Sequence, residues 1–69
     1  MNLQPICFEG YKIKILREEK GYKQVYFAEL LGFSQSYLSK IENNRIEPSI
    51  AELIKIAIFF EKPIDFFIG

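Results

Sequence analysis

The sequence predicts an all-α domain of five short helices. Apolar residues recur three or four positions apart along most of the chain, whereas no useful length alternates with the two-residue period of a strand. Glycine, asparagine and proline separate the apolar segments by only a few residues, which is typical of connections between packed helices. Since linkers, repeats and low-complexity segments are absent from the 69 residues, we expect residues 1–69 to form one domain.

The first two predicted helices are each followed by a glycine. Helix one places Ile13 and Leu16 on one side and ends at Gly21. Helix two covers Gln24–Leu31 and ends at Gly32. Glycine is favoured just beyond a helix end because it adopts the left-handed conformation without a steric penalty. Both glycines therefore mark helix ends.

The third predicted helix, residues 35–43, buries only a narrow stripe. Ser34 precedes it as a cap, and Leu38 and Ile41 are its two aliphatic residues. Asn44 closes it, because asparagine also tolerates the left-handed conformation. The rest of the helix is polar but hardly charged: Gln35, Ser36, Ser39, Lys40 and Asn43.

The fourth predicted helix begins at Ser49, which caps it and forms a capping box with Glu52. A last short helical turn covers residues 63–67. Spacing assigns the inner side of the fourth helix to Ile50, Leu53, Ile54, Ala57 and either Phe59 or Phe60.

Composition argues against an enzyme. With no histidine and one cysteine, the chain lacks the residues for a Ser-His-Asp or Cys-His nucleophile, a zinc cluster or an internal disulfide. No signal peptide or transmembrane run is visible, so we expect a cytoplasmic protein. Nine basic residues balance nine acidic ones, but residues 9–23 carry five positive and three negative groups, while residues 46–69 carry two and four.

Helices two and three have the spacing of a helix-turn-helix motif over residues 24–43. A three-residue, glycine-containing turn joins them, and helix three presents its polar face away from Leu38 and Ile41. Such a helix fits the DNA major groove, where glutamine pairs with adenine, lysine reaches guanine, and serine contacts either base. The residues predicted to contact bases are Gln35, Ser36 and Lys40.

Three strings strengthen this interpretation: ILREEKGYKQ at residues 15–24, FAELLGFSQSYLSKIEN at residues 27–43, and Pro48-Ser49. Together they resemble the Cro and phage-repressor family of helix-turn-helix domains, also called the XRE family. The resemblance implies a lambda-repressor-like fold of five helices that binds operator DNA, usually as a dimer, and controls transcription. It implies no cofactor and no small-molecule ligand.

The resemblance also assigns roles to residues. Gln24 matches a glutamine that contacts a phosphate and steadies the first recognition residue, and Arg17 and Glu42 match a structural ion pair between helices one and three. Alternatives remain, since Gln24 could cap its helix, Tyr37 could lie over neighbouring side chains and Arg45 could be a surface charge. The residues implied to contact the DNA backbone are Gln24, Tyr37, Asn43 and Arg45.

The abundant apolar residues predict contact with another protein chain. Eleven of the 69 residues are Phe or Tyr, and a chain this small leaves much of its surface exposed. We expect a homodimer whose interface includes Ile58, Phe66 and Ile68. An alternative is a protein-interaction module of the same fold that captures a different protein, as in antitoxin-like relatives, through Val25, Tyr26, Leu30, Ile58 and Phe66.

Overall fold

The computed structural model describes residues 7–69. Its elements are α1 (Tyr11–Glu19), α2 (Gln24–Leu31), α3 (Gln35–Glu42), α4 (Ile50–Phe60) and a single 3₁₀ turn (Ile64–Phe67). The all-helical class is confirmed, but the prediction of five helices was wrong because the last element is not an α-helix. Within this range, no helix combines the length and apolar content needed to cross a bilayer.

The short helical turn predicted over residues 63–67 is present as the 3₁₀ turn, and directly after it the chain pairs with the start of the domain. Bonds three residues apart define the turn, with the Phe66 N–H donating to Pro63 O at 3.0 Å. Immediately afterwards Ile68 forms an isolated antiparallel bridge with Phe8. The Glu9 N–H donates to Phe67 O at 2.8 Å, so the bridge ties α1 to the last segment of the fold.

Each of the four α-helices is followed by a residue in the left-handed conformation. Gly21 and Gly32 have φ of 75° and 76°, as their positions predict, and Asn44 adopts the same shape with φ of 62°. After α4 this position is taken by Glu61, at φ of 55°, which the sequence did not reveal because no glycine or asparagine marks it.

The predicted caps of α3 and α4 are confirmed. Ser34 Oγ accepts a bond of 3.1 Å from the Tyr37 N–H at the start of α3. At the start of α4, Ser49 Oγ accepts from the Glu52 N–H at 3.1 Å, and Glu52 Oε1 accepts from the Ser49 N–H at 2.9 Å. These reciprocal bonds are the capping box that the sequence predicts.

The inner side of α4 agrees with the prediction at Leu53, Ala57 and Phe60 but not at the isoleucines. Ile50 and Ile54 are 69% and 40% exposed, whereas Ile56 is fully buried. The inner face follows positions 53, 56, 57 and 60. Ile50 and Ile54 were wrongly assigned to it because α4 is apolar almost all round, so spacing does not single out one face. The buried apolar core comprises Phe8, Ile13, Phe27, Ala28, Leu31, Leu38, Ile41, Leu53, Ile56, Ala57, Phe60 and Phe67.

The start of α1 packs directly against the end of α3 at Gly10. The Gly10 N–H donates to Asn44 Oδ1 at 2.7 Å. A Cβ at Gly10 would lie 3.0 Å from the carbonyl carbon of Ile41 and closer still to its oxygen. Because Gly10 has an ordinary φ of −62°, this position needs glycine for space and not for its backbone conformation.

Candidate nucleic-acid interface

Helix α3 is attached to the domain along the narrow stripe that its sequence predicts. Leu38 and Ile41 have no exposed surface, and Glu42 is also buried, at 3% exposure. Gln35, Ser36 and Lys40 are exposed on the other side. The helix therefore presents its hydrogen-bonding side chains outward while two aliphatic residues anchor it.

A shallow, open depression of about 440 Å³ runs along this outer side. Of the predicted DNA-contacting residues, the structure brings four together here, because Ser36 and Lys40 meet Asn43 and Arg45 around the depression. Ser39 also lines it and was not singled out from the sequence, although its position three residues after Ser36 places it on the same face. Neutral hydrogen-bonding groups and two cations thus share one concave surface.

The side chains of Asn43 and Arg45 differ in how firmly they are fixed. Asn43 Nδ2 donates to the carbonyl oxygen of Ser39 at 2.9 Å and contacts Ser39 Oγ at 3.3 Å, which folds the amide over the last turn of α3. Arg45 is exposed, and its backbone N–H donates to Lys40 O at 2.8 Å. The chain reversal after α3 therefore returns a cation to the depression.

A buried ion pair joins α1 to α3, as the family resemblance implies. Arg17 Nε donates to Glu42 Oε2 at 2.7 Å, and Nη2 donates to Oε1 at 3.1 Å. Arg17 Nη1 also donates to Tyr22 O at 2.7 Å, beyond the end of α1. Because the guanidinium and the carboxylate are both buried, their two parallel bonds fix the relative position of the helices.

A chain of hydrogen bonds connects the Glu42 carboxylate, through two glutamines, to the exposed face of α3. Gln24 Nε2 donates to Glu42 Oε1 at 3.0 Å, and Gln35 Nε2 donates to Gln24 Oε1 at 3.3 Å. An ionised carboxylate only accepts, so it holds the amide nitrogen of Gln24 inward and its oxygen towards Gln35. Gln35 keeps one amide hydrogen and its carbonyl oxygen for another molecule.

Glu42 therefore does more than the structural role that the sequence suggested. Through Gln24 it orients the side chain at the first position of α3. The family resemblance implies the contact between Gln24 and the first position of α3, whereas the bond from Gln24 to Glu42, 18 residues away, was not predicted.

Tyr37 bonds within the chain. Its Oη donates to Glu52 Oε1 at 2.7 Å, and its ring meets Phe33 edge-on, with 5.1 Å between the ring centres. This geometry matches the alternative in which Tyr37 lies over neighbouring side chains. A tyrosine hydroxyl has one proton, so donation to a phosphate would require breaking the bond to Glu52.

The bonds around Glu52 predict a dependence of stability on pH. Hydrogen bonds, first from Tyr37 Oη and then from the Ser49 backbone, lower the pKa of Glu52 below its ordinary 4.5. Since the pKa is lower in the folded state, this stabilisation is present above pH 4.5 and should be lost as the pH falls through the folded-state pKa. Urea unfolding between about pH 7 and pH 3 should show the loss, and Glu52→Gln should flatten that part of the profile. An unchanged profile in the variant would contradict the assignment.

The residues predicted for a dimer interface lie in different surroundings. Ile58 is 72% exposed on α4. The ring of Phe66 is half-buried, with the Nζ atoms of Lys12 and Lys62 at 5.0 and 4.9 Å from its centre. Ile68 is half-buried and forms the backbone bridge to Phe8. On α2, about half of each of three apolar side chains is exposed: Val25, Tyr26 and Leu30.

Curated relatives of this chain include regulators of bacteria and their phages. The ImmF control region 10 kDa protein of Bacillus phage phi105 is 51% identical over 49 residues, covering 71% of this chain and 54% of that protein. The HTH-type transcriptional regulator SinR of Bacillus subtilis (strain 168) is 47% identical over 49 residues, covering 70% and 44%. The chain thus spans about half the length, or less, of these relatives.

A solved structure with a similar fold is the crystal structure of SinR, described as the master regulator for biofilm formation, in complex with DNA. It superposes with a TM-score of 0.73 at 39% sequence identity, over 84% of this chain and 94% of that one. The helix-turn-helix family HTH_3 matches residues 13–67, which contain all four α-helices except the first two residues of α1. Sequence and fold together establish that this chain belongs to the HTH_3 family of helix-turn-helix domains.

Proposed function

We propose that this chain is a sequence-specific DNA-binding regulator of transcription that acts as a homodimer on a palindromic operator. The observation that carries the proposal is the outer side of α3, where exposed Gln35, Ser36 and Lys40 project from a helix anchored by only two aliphatic residues. The likeness to SinR, whose structure contains DNA, supports it.

In this proposal Gln35, Ser36 and Lys40 contact base edges. The orientation of Gln35 suits adenine, whose major-groove edge offers one acceptor and one donor to the remaining amide hydrogen and carbonyl oxygen. Lys40 suits the acceptors of guanine, and Ser36 contacts either base. These residues would determine which DNA sequence is preferred. Phosphate contacts would position the protein on the duplex and provide most of the affinity.

Gln24, Asn43 and Arg45 contact phosphates in this proposal. Gln24 still has an amide hydrogen to donate, and Arg45 brings a cation to the rim of the depression. Tyr37 would join them only by giving up its bond to Glu52. Because the chain is neutral overall, a dimer that doubles these contacts gives a clear advantage in affinity.

The test begins by selecting duplexes that the protein binds from a random pool. Gln35→Ala combined with Lys40→Ala should abolish the preference for the selected operator over a scrambled duplex. Lys40→Ala alone should reduce the difference in binding free energy between the preferred base and the others, at one base position, by about 1–3 kcal/mol per half-site. Both side chains are exposed, so the variants should remain folded. Affinity measured at several salt concentrations should fall as salt rises, because phosphate contacts release counterions.

Lys14→Ala is the matched control, since it removes the same charge from an exposed position on α1. It should leave the operator preference unchanged. If Lys40→Ala weakened operator and scrambled duplex equally, Lys40 would contact a phosphate and not a base. If no duplex were enriched, the proposed function itself would be rejected.

A second candidate function is a protein-interaction module of the same fold. Exposed Val25, Tyr26 and Leu30, each 42–49% exposed on α2, favour it because apolar surface of this kind is often covered by a partner. Under this alternative, replacing Gln35 and Lys40 would have little effect on binding of the partner protein. The two candidates are therefore separated by the same pair of substitutions.

A further inference from the structure

The chain reversal after α3 contains two backbone hydrogen bonds that do not depend on the side chain at its centre. Asn44, with φ of 62°, occupies the left-handed position. Its N–H donates to Ile41 O at 3.1 Å, and the Arg45 N–H donates to Lys40 O at 2.8 Å, which together form a Schellman motif. Glycine satisfies this motif without a steric cost, whereas asparagine adopts the left-handed conformation at some cost. The asparagine side chain therefore requires a separate explanation.

The side chain of Asn44 ties the end of α3 to the start of α1. Its Oδ1 accepts from the Gly10 N–H at 2.7 Å, across 34 positions of sequence. Gly10 directly precedes α1, and the first N–H groups of a helix have no acceptor inside that helix. Asn44 thus supplies an acceptor at the start of α1, and the same bond anchors the turn that follows α3.

The segment to which Asn44 is attached is itself closely held. The Glu9 N–H donates to Phe67 O at 2.8 Å, which joins this segment to the last part of the fold. Gly10 also lies so close to Ile41 that an added Cβ would be 3.0 Å from its carbonyl carbon. The bond to Gly10 therefore connects the turn to a packed part of the domain.

Asn44 is flanked in the chain by two residues that line the depression beside α3, Asn43 and Arg45. The Asn43 amide is held by its bond to the carbonyl oxygen of Ser39. In contrast, neither of the two ion pairs within residues 7–69 includes Arg45. Where the Arg45 guanidinium lies thus depends on the backbone of the turn, and the bond from Gly10 to Asn44 restrains that backbone.

We propose that Asn44 is a positioning residue for DNA binding, whose bond to Gly10 keeps Arg45 at the rim of the depression, where it meets a phosphate. This rests on the proposed function and goes beyond it, because Asn44 acts through Arg45 and not by touching DNA. A turn held in place before binding loses less conformational freedom when the complex forms, so binding is tighter. Since a phosphate contact carries no sequence information, the gain should be the same for every duplex.

Asn44→Gly is the decisive variant, because it keeps the left-handed backbone and removes only the side-chain bond. Affinity is measured for a duplex selected from a random pool and for a scrambled duplex of the same composition. Both affinities should fall by the same factor, about three- to tenfold, which corresponds to the net contribution of one hydrogen bond. Circular dichroism should show unchanged helix content, and the Gly10 amide should exchange its hydrogen faster because its acceptor is gone.

Gly21→Asn is the matched control. It makes the reverse exchange at a left-handed position where an added Cβ would have no neighbouring atom within 4 Å. Both affinities should be unchanged in this variant.

A double variant separates positioning from a general effect on the fold. Arg45→Ala alone should weaken binding to both duplexes. Adding Asn44→Gly to it should cause little further loss, because the residue that Asn44 positions has been removed. A purely structural effect of Asn44 would lower affinity as much in the Arg45→Ala chain as in the unaltered chain.

Four results would overturn the inference: normal binding by Asn44→Gly, a loss confined to the selected duplex, an equal loss in the Arg45→Ala chain, or unchanged hydrogen exchange at Gly10. An equal loss in Gly21→Asn would also overturn it. DNA binding by the unaltered chain in any of these cases leaves the proposed function standing. An unaltered chain that bound no duplex would remove the proposed function, and the inference with it.

Discussion

Gly10→Ala should destabilise the domain by about 3 kcal/mol, at the upper end of the cost of forcing an extra methyl group into packed structure. The new Cβ would overlap the carbonyl oxygen of Ile41, and neither backbone segment moves freely. Separating α1 from α3 would also stretch the 2.7 Å bond from the Gly10 N–H to Asn44 Oδ1. Urea unfolding followed by circular dichroism measures the change.

Gly21→Ala is the control for this prediction. Gly21 has a φ of 75°, and a Cβ added there would have no neighbouring atom within 4 Å. Alanine at this position therefore incurs only the cost of a left-handed backbone, about 1–2 kcal/mol. Gly10 has the opposite combination, an ordinary φ and no space. If the two substitutions proved equally costly, the close contact between Gly10 and Ile41 would not be the cause.

The second large effect is expected from Glu42→Ala, which should cost about 3–5 kcal/mol because it leaves the buried Arg17 guanidinium without its counter-ion. Both residues are less than 10% exposed, and two parallel bonds join them. The same denaturation measurement gives the loss in the free energy of unfolding.

A double variant separates the structural role of this ion pair from its role in orienting Gln24. Arg17→Met with Glu42→Leu replaces the pair by apolar side chains and should recover most of the stability that Glu42→Ala loses. It should not recover base choice, because Gln24 no longer has a carboxylate to fix its amide and Gln35 can turn. Relative affinities for operators that differ at the Gln35 position test this, and a double variant with unchanged base preference would show that Glu42 is purely structural.

Local signals in the sequence predicted the four α-helices and which side of α3 is exposed. Each feature that spacing alone predicted correctly depends on residues close together in the chain, whereas the ion pair between Arg17 and Glu42 was implied by the family resemblance. Gly21 and Gly32 have the left-handed conformation that ends α1 and α2, and Ser49 with Glu52 forms the capping box of α4. The Leu38 and Ile41 stripe of α3 is likewise set by helical spacing, and it determines which polar residues face outward.

Features that depend on distant residues could not be predicted in this way. Gly10 is required because the end of α3 lies against it, and Glu42 orients Gln35 through a residue on another helix. On α4, aliphatic residues occupy both faces, so periodicity alone did not distinguish the outward Ile50 from the inward Ile56. The bridge between Phe8 and Ile68 joins two segments that lie near opposite ends of the sequence.

The Glu52 carboxylate accepts bonds from both Tyr37 on α3 and Ser49 at the start of α4. This shared acceptor joins α3 to the first turn of α4, so the two helices should move together. In the proposed homodimer, such a connection would help to keep the two α3 helices at a fixed separation and angle. One extra base pair between the two half-sites rotates the second half-site by about a tenth of a turn relative to the first. A rigid connection between α3 and α4 would prevent the second α3 helix from following that rotation.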